Sequence, residues 1–126
     1  MPLYTITTQA GVLDSPAKLD LADKLTAFHA EYAAVPKNWV HVVFHEYPSG
    51  SGFTAGRPSP TAALTLLIRT GRSADYKREM LKRLWSLVQA ATGAPDEEIV
   101  LGIQEVPSSQ AMEMGQIMPE VTSASS

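Results

Sequence analysis

A chain of 126 residues with 44% hydrophobic and 18% charged residues fits one soluble globular domain, large enough to bury a core without staples. The absence of cysteine excludes disulfides, thiol catalysis and thiolate metal sites together. A net charge of −3 argues against a nucleic-acid partner bound through bulk charge.

The N-terminus, Met1-Pro2-Leu3, lacks the basic-then-apolar plan of a secretory leader, and no apolar run approaches the roughly 20 residues of a membrane span. A cytoplasmic protein without membrane partners is expected. Residues 3–8 are short and β-branched, a strand. Ser15 before Pro16 reads as a helix cap followed by proline at the first helical position. Leu21, Leu25, Phe28 and Tyr32 then form an apolar stripe, and Pro36 ends that helix. Residues 39–45 alternate, with Val40, Val42 and Phe44 on one face and Trp39, His41, Val43 and His45 on the other. Residues 47–60, dense in Gly, Pro and Ser, must be loop or short hairpin. A strand over 63–69 leads to a helix capped by Ser73, with the stripe Met80, Leu84, Leu87 and Ala91 and a stop at Gly93 and Pro95. A turn-rich segment over 107–118 precedes a tail, 119–126, that is expected to fray.

The two halves repeat. Lys18, Leu21, Leu25, Phe28, Pro36, Val40, Val42, Phe44 and Glu46 align without a gap on Lys77, Met80, Leu84, Leu87, Pro95, Ile99, Leu101, Ile103 and Glu105. The chain is thus one domain of two tandem strand–helix–strand units, about 2–46 and 61–105. A crossover helix makes the strands within each unit parallel and the connection right-handed. The expected fold is α/β in the α+β sense: a four-stranded sheet with two helices on one face. Its other face is left bare, for oligomerisation to bury. Matching Pro2 to Thr61 makes strands one and three start together, which would put Arg69 at the far end of its strand from Pro2.

Several residues suit chemistry. Initiator methionine is commonly trimmed before a small residue, and that would free the secondary amine of Pro2. A retained Met1 would instead make this nitrogen a non-basic amide. The free amine serves as a base near neutral pH if burial or a nearby cation lowers its pKa. Arg69-Thr70-Gly71-Arg72-Ser73 runs from a strand end into a helix entrance, where guanidiniums and unpaired N–H groups together suit a carboxylate. Solvated loop arginines would look the same. His29 flanks the apolar stripe, and taken alone it reads first as a partly buried, satisfied ring. Glu113, between Met112 and Met114, faces either a pocket or solvent. His41 and His45 lie about 13 Å apart at roughly 3.3 Å per residue, too far to share one ion. The sequence calls for no metal and no cofactor. Lys77, Arg78, Lys82 and Arg83 form a solvated helix face.

Pro2, His29, the run Arg69-Thr70-Gly71-Arg72-Ser73-Ala74-Asp75, and Glu105-Val106-Pro107 followed by Glu113-Met114-Gly115 together resemble the tautomerase superfamily, in its cis-3-chloroacrylic acid dehalogenase-like branch. The likeness runs to about Pro119. It implies a homotrimer of β-α-β repeats acting on a small carboxylate, with Pro2 as the catalytic amine. It further implies that Arg69 and Arg72 bind the carboxylate, His29 assists and Glu113 guides water. The sequence departs from the dehalogenase pattern at Gly102, where that pattern has a tyrosine, and it stops earlier. Tautomerisation of 2-oxo acids or enols is therefore expected, with weak hydratase or dehalogenase activity beside it. The competing reading is a non-catalytic ferredoxin-like module with interleaved units and an antiparallel sheet.

Overall fold

A computed structural model describes residues 1–121 of the chain. Its elements are β1 (Leu3–Gln9), α1 (Ser15–Ala33), β2 (His41–Tyr47), β3 (Phe53–Thr54), β4 (Arg57–Pro58), β5 (Ala62–Arg69), α2 (Ala74–Thr92), β6 (Ile99–Val106), β7 (Met112–Glu113) and β8 (Gln116–Ile117). Short 3-10 turns precede β2 and β6 and follow β6. The main sheet has the order β2-β1-β5-β6, with β1–β2 and β5–β6 parallel. Each unit keeps its own strands side by side, so the interleaved ferredoxin-like arrangement does not apply.

Alternation along the strands decides which face is covered. Tyr4, Ile6 and Thr8 of β1 and Leu64, Leu66 and Ile68 of β5 point toward the helices and are buried. Leu21 and Leu25 of α1 and Met80, Leu84 and Val88 of α2 close over them. Each fully buried leucine there contributes about 1.5–3 kcal/mol. The opposite face carries no helix and leaves Val43 and Val100 exposed.

Helix ends follow side-chain chemistry. Asp14, rather than Ser15, caps α1: its Oδ1 accepts the Ala17 N–H at 2.9 Å, and Pro16 still falls in the first turn. Ser73 caps α2 through the Tyr76 N–H, and Gly93 ends it in the left-handed region.

The repeat continues past the segments that displayed it. β3–β4 and β7–β8 are matching two-stranded hairpins, turning at Ala55-Gly56 and Met114-Gly115. All four turn residues have positive φ, as tight hairpins of the right twist require. The Lys18–Glu46 and Lys77–Glu105 ion pairs, both 2.8 Å, repeat as well.

One expectation fails at the junction of the units. β1 and β5 pair antiparallel, with Leu3 opposite Leu67, so the two strands do not start together. Pro2 therefore lies across from the Ile68–Arg69 end of β5, within one subunit. The repeat reports how each unit is built, not how the two are joined. The segment 119–121 also differs from a fraying tail, since Arg69 Nη1 donates to the Pro119 carbonyl at 2.6 Å. The rest of that tail, 122–126, lies outside the described residues.

Candidate active site

The antiparallel junction gathers the candidates. Pro2 is fully buried at the start of β1, its carbonyl accepting the His41 N–H at 3.1 Å. Beside it, Met1, His29, Arg69, Arg72, Tyr76 and Met80 line one pocket, which Pro2 itself reaches only through Met1. β5 delivers Arg69, the loop into α2 delivers Arg72, and α1 delivers His29.

Arg69 is only 5% exposed, against the ordinary behaviour of a guanidinium. Besides its bond to Pro119, it lies over the Trp39 ring, 5.7 Å from the centroid. Burial first, then the nearby Arg72, pull its pKa below the usual value. Arg72 stacks 4.8 Å over the Tyr76 ring, and its Nη1 is buried without a partner among the described residues. Neither guanidinium is paired with a carboxylate among those residues. Two such cations in one pocket favour an anion. Gly71 between them has φ 131°, and a Cβ there would come within 3.1 Å of Val121. Glycine thus lets the loop turn beneath the C-terminal segment.

His29 lies on the buried stripe of α1 rather than beside it: Leu21, Leu25, His29 and Ala33 face inward, with Phe28 and Tyr32 at its edge. Its Nδ1 is 2.6 Å from the Tyr4 hydroxyl, and the rings meet edge-on. A phenol whose pKa burial has pushed upward is a donor, so Nδ1 accepts and the proton sits on Nε2. Burial, then Arg72 and the terminal amine, lower the imidazole pKa to about 3. Neutral His29 can donate to an anion but cannot pair with it as a cation. Because the unfolded ring titrates near 6.5, the unfolded state binds the extra proton between 6.5 and 3. His29 thus contributes stability above 6.5 that is lost as pH falls. Urea unfolding at pH 7 and pH 5 should show this loss, approaching about 1.4 kcal/mol per pH unit below 6.5, and His29→Gln should flatten it. An equal pH dependence in both proteins would refute the assignment.

Glu113, on β7, meets the same end of β1. Its Oε2 pairs with the Met1 amine, and its Oε1 is 3.7 Å from His41 Nε2. Burial, then Arg69, lower that amine from 8.0 to about 6. Gly102, exposed on β6 with open space around it, supplies no hydroxyl.

A family model described as "Putative oxalocrotonate tautomerase enzyme" matches residues 1–126. The chain belongs to this tautomerase family. Among solved structures it is similar to N1, a member of the cis-3-chloroacrylic acid dehalogenase family, at 30% identity and a TM-score of 0.88, over 94% of this chain and 85% of that one. Ps01740 matches at 33% identity and 0.84, over 88% and 99%. A fused 4-OT described as a symmetric trimer shares the fold at 18% identity and 0.82, over 92% and 94%. A search of curated proteins finds no match.

Tyr76 lines the pocket and Tyr4 holds His29 from behind it, and neither stood out in the sequence. The repeat carried a signal for Tyr76. Moving by the same 59 residues that separate Lys18 from Lys77, Tyr76 falls on Ala17, Arg69 on Ala10, Arg72 on Leu13, His29 on Val88 and Glu113 on Thr54. Arg69, Arg72, Tyr76 and His29 of the pocket are polar or aromatic where the other half is small or apolar. Breaks in the repeat therefore mark the site.

Proposed function

We propose that this tautomerase acts, once Met1 is removed, through the secondary amine of Pro2 on small 2-oxo, enol or unsaturated carboxylic acids. The observation that carries the reading is that the start of β1 meets two guanidiniums with no carboxylate partner among the described residues. Arg69 and Arg72 hold the substrate carboxylate, and neutral His29 donates through Nε2. The depressed Met1 amine supports a base rather than an acid, since burial and Arg69 act on Pro2 in the same direction. Pro2 nitrogen takes the enol O–H proton and returns a proton to carbon, while the cations hold the anionic charge between these steps. No atom is gained or lost, and no cofactor takes part. With Glu113 guiding water, hydration or dehalogenation of unsaturated acids would be secondary, because Gly102 offers no second hydroxyl. The test uses protein whose mass shows Met1 removed, assayed for enol ketonisation and for hydration of 3-haloacrylates. Ketonisation is expected to dominate; faster hydration would reverse the assignment.

The same reading makes the protein a homotrimer. Val43 and Val100 on the bare sheet face, Phe53 on one hairpin, and Met112, Met114 and Ile117 on the other are all exposed in the single chain. That apolar surface suits burial by further copies. Light scattering at micromolar concentration should give three times the chain mass. A clean monomer would overturn the assembly.

A further inference from the structure

Buried polar atoms are nearly always paired, so an unpaired one in a pocket wall marks where a ligand atom belongs. Two such atoms belong to residues that line this pocket: Arg72 Nη1 and the Tyr76 hydroxyl, both buried and without partners among the described residues. The Tyr76 ring is packed by the Arg72 guanidinium at 4.8 Å and by Tyr32 at 4.7 Å between centroids. Tyr32 also anchors the helix start, donating to the Tyr76 carbonyl at 2.9 Å. Tyr76 is therefore fixed, and its hydroxyl is left for something the chain does not supply. By contrast, Arg69 has already spent Nη1 on Pro119.

We propose that Tyr76 is a substrate-binding residue whose hydroxyl donates to the oxygen on the carbon next to the carboxylate that Arg72 holds. This rests on the carboxylate reading above and narrows it, selecting 2-oxo acids and their enols over acids bare at that carbon. Arg72 for the carboxylate and Tyr76 for the adjacent oxygen match the two polar groups of a 2-oxo acid. Burial raises the phenol pKa, which keeps it a donor. The same bond stabilises charge on that oxygen as the enolate forms.

The test compares binding of 2-oxobutanoate and butanoate to processed wild-type protein and to Tyr76→Phe by calorimetry. Phenylalanine keeps the ring between Arg72 and Tyr32, and circular dichroism with thermal melting checks the fold. Wild type should prefer the 2-oxo acid, and Tyr76→Phe should lose roughly ten- to hundredfold in affinity for it, with much less change for butanoate. Equal losses for both acids, or none, would overturn the role of Tyr76. Pro2→Ala should leave this preference intact, so failed acid–base catalysis is distinguishable from a failed Tyr76 contact. If neither acid binds wild type, the carboxylate reading falls and takes this proposal with it.

Discussion

Replacing Pro2 by Ala, in protein confirmed to lack Met1, is expected to lower kcat/KM for enol ketonisation by at least about 10²-fold, within the ordinary contribution of acid–base catalysis. Alanine leaves a terminal amine but not the rigid ring that fixes its lone pair. Protein retaining Met1 should be inactive for a different reason: the Pro2 nitrogen is then an amide, and Met1 itself lines the pocket. The pH profile gives an independent check. A base must be neutral to act, so activity should rise with pH through the Pro2 pKa. Burial first, and then Arg69, lower the pKa of the Met1 amine beside Pro2. Arg69→Ala should therefore move the rising limb to higher pH, whatever it does to the maximum rate. Unchanged kcat/KM in Pro2→Ala would remove Pro2 from the chemistry, and a limb that does not move would leave burial alone to set its pKa.

The sequence made the two units legible because their signals are local. Helical stripes, caps and strand alternation depend on residues a few positions apart. The Lys18–Glu46 and Lys77–Glu105 pairs show that even unit-scale contacts were encoded in matched positions. The direction of the β1–β5 pairing was not legible. Antiparallel and parallel junctions bury the same alternating residues, and the linker between the units is long enough for either. That single ambiguity hid the proximity of Pro2 to Arg69, the fact on which the site turns. His29 was misplaced because Phe28 and Tyr32 look more apolar than a histidine, although the four-residue spacing Leu21, Leu25, His29, Ala33 also fits a buried stripe. Tyr76 stayed hidden because a tyrosine in a helical first turn is ordinary on its own. Only its contrast with Ala17 in the repeat singles it out.

The arginines are expected to separate by role as well as by size of effect. Arg72→Ala should cost acidic substrates roughly 1.5–3 kcal/mol, the value of a charged hydrogen bond, or about one to two powers of ten in kcat/KM. The fold should survive, since Arg72 stacks on Tyr76 but makes no hydrogen bond to the rest of the described chain through its buried Nη1. Lysine should rescue only in part, lacking the planar fork that grips a carboxylate with two parallel bonds. Arg69 is no solvated loop cation, and its burial separates it from Arg72. Removing it leaves a hole under Trp39 and strips the Pro119 carbonyl of its donor. Arg69→Ala should thus lower the melting temperature as well as activity, whereas Arg72→Ala should lower activity alone. Acid and methyl ester, measured side by side, isolate the anion: the ester should lose far less than the acid in Arg72→Ala. Equal losses on the two would mean that Arg72 shapes the pocket without holding the carboxylate. No loss on either would return it to an ordinary loop cation, and the anion site would have to be sought elsewhere.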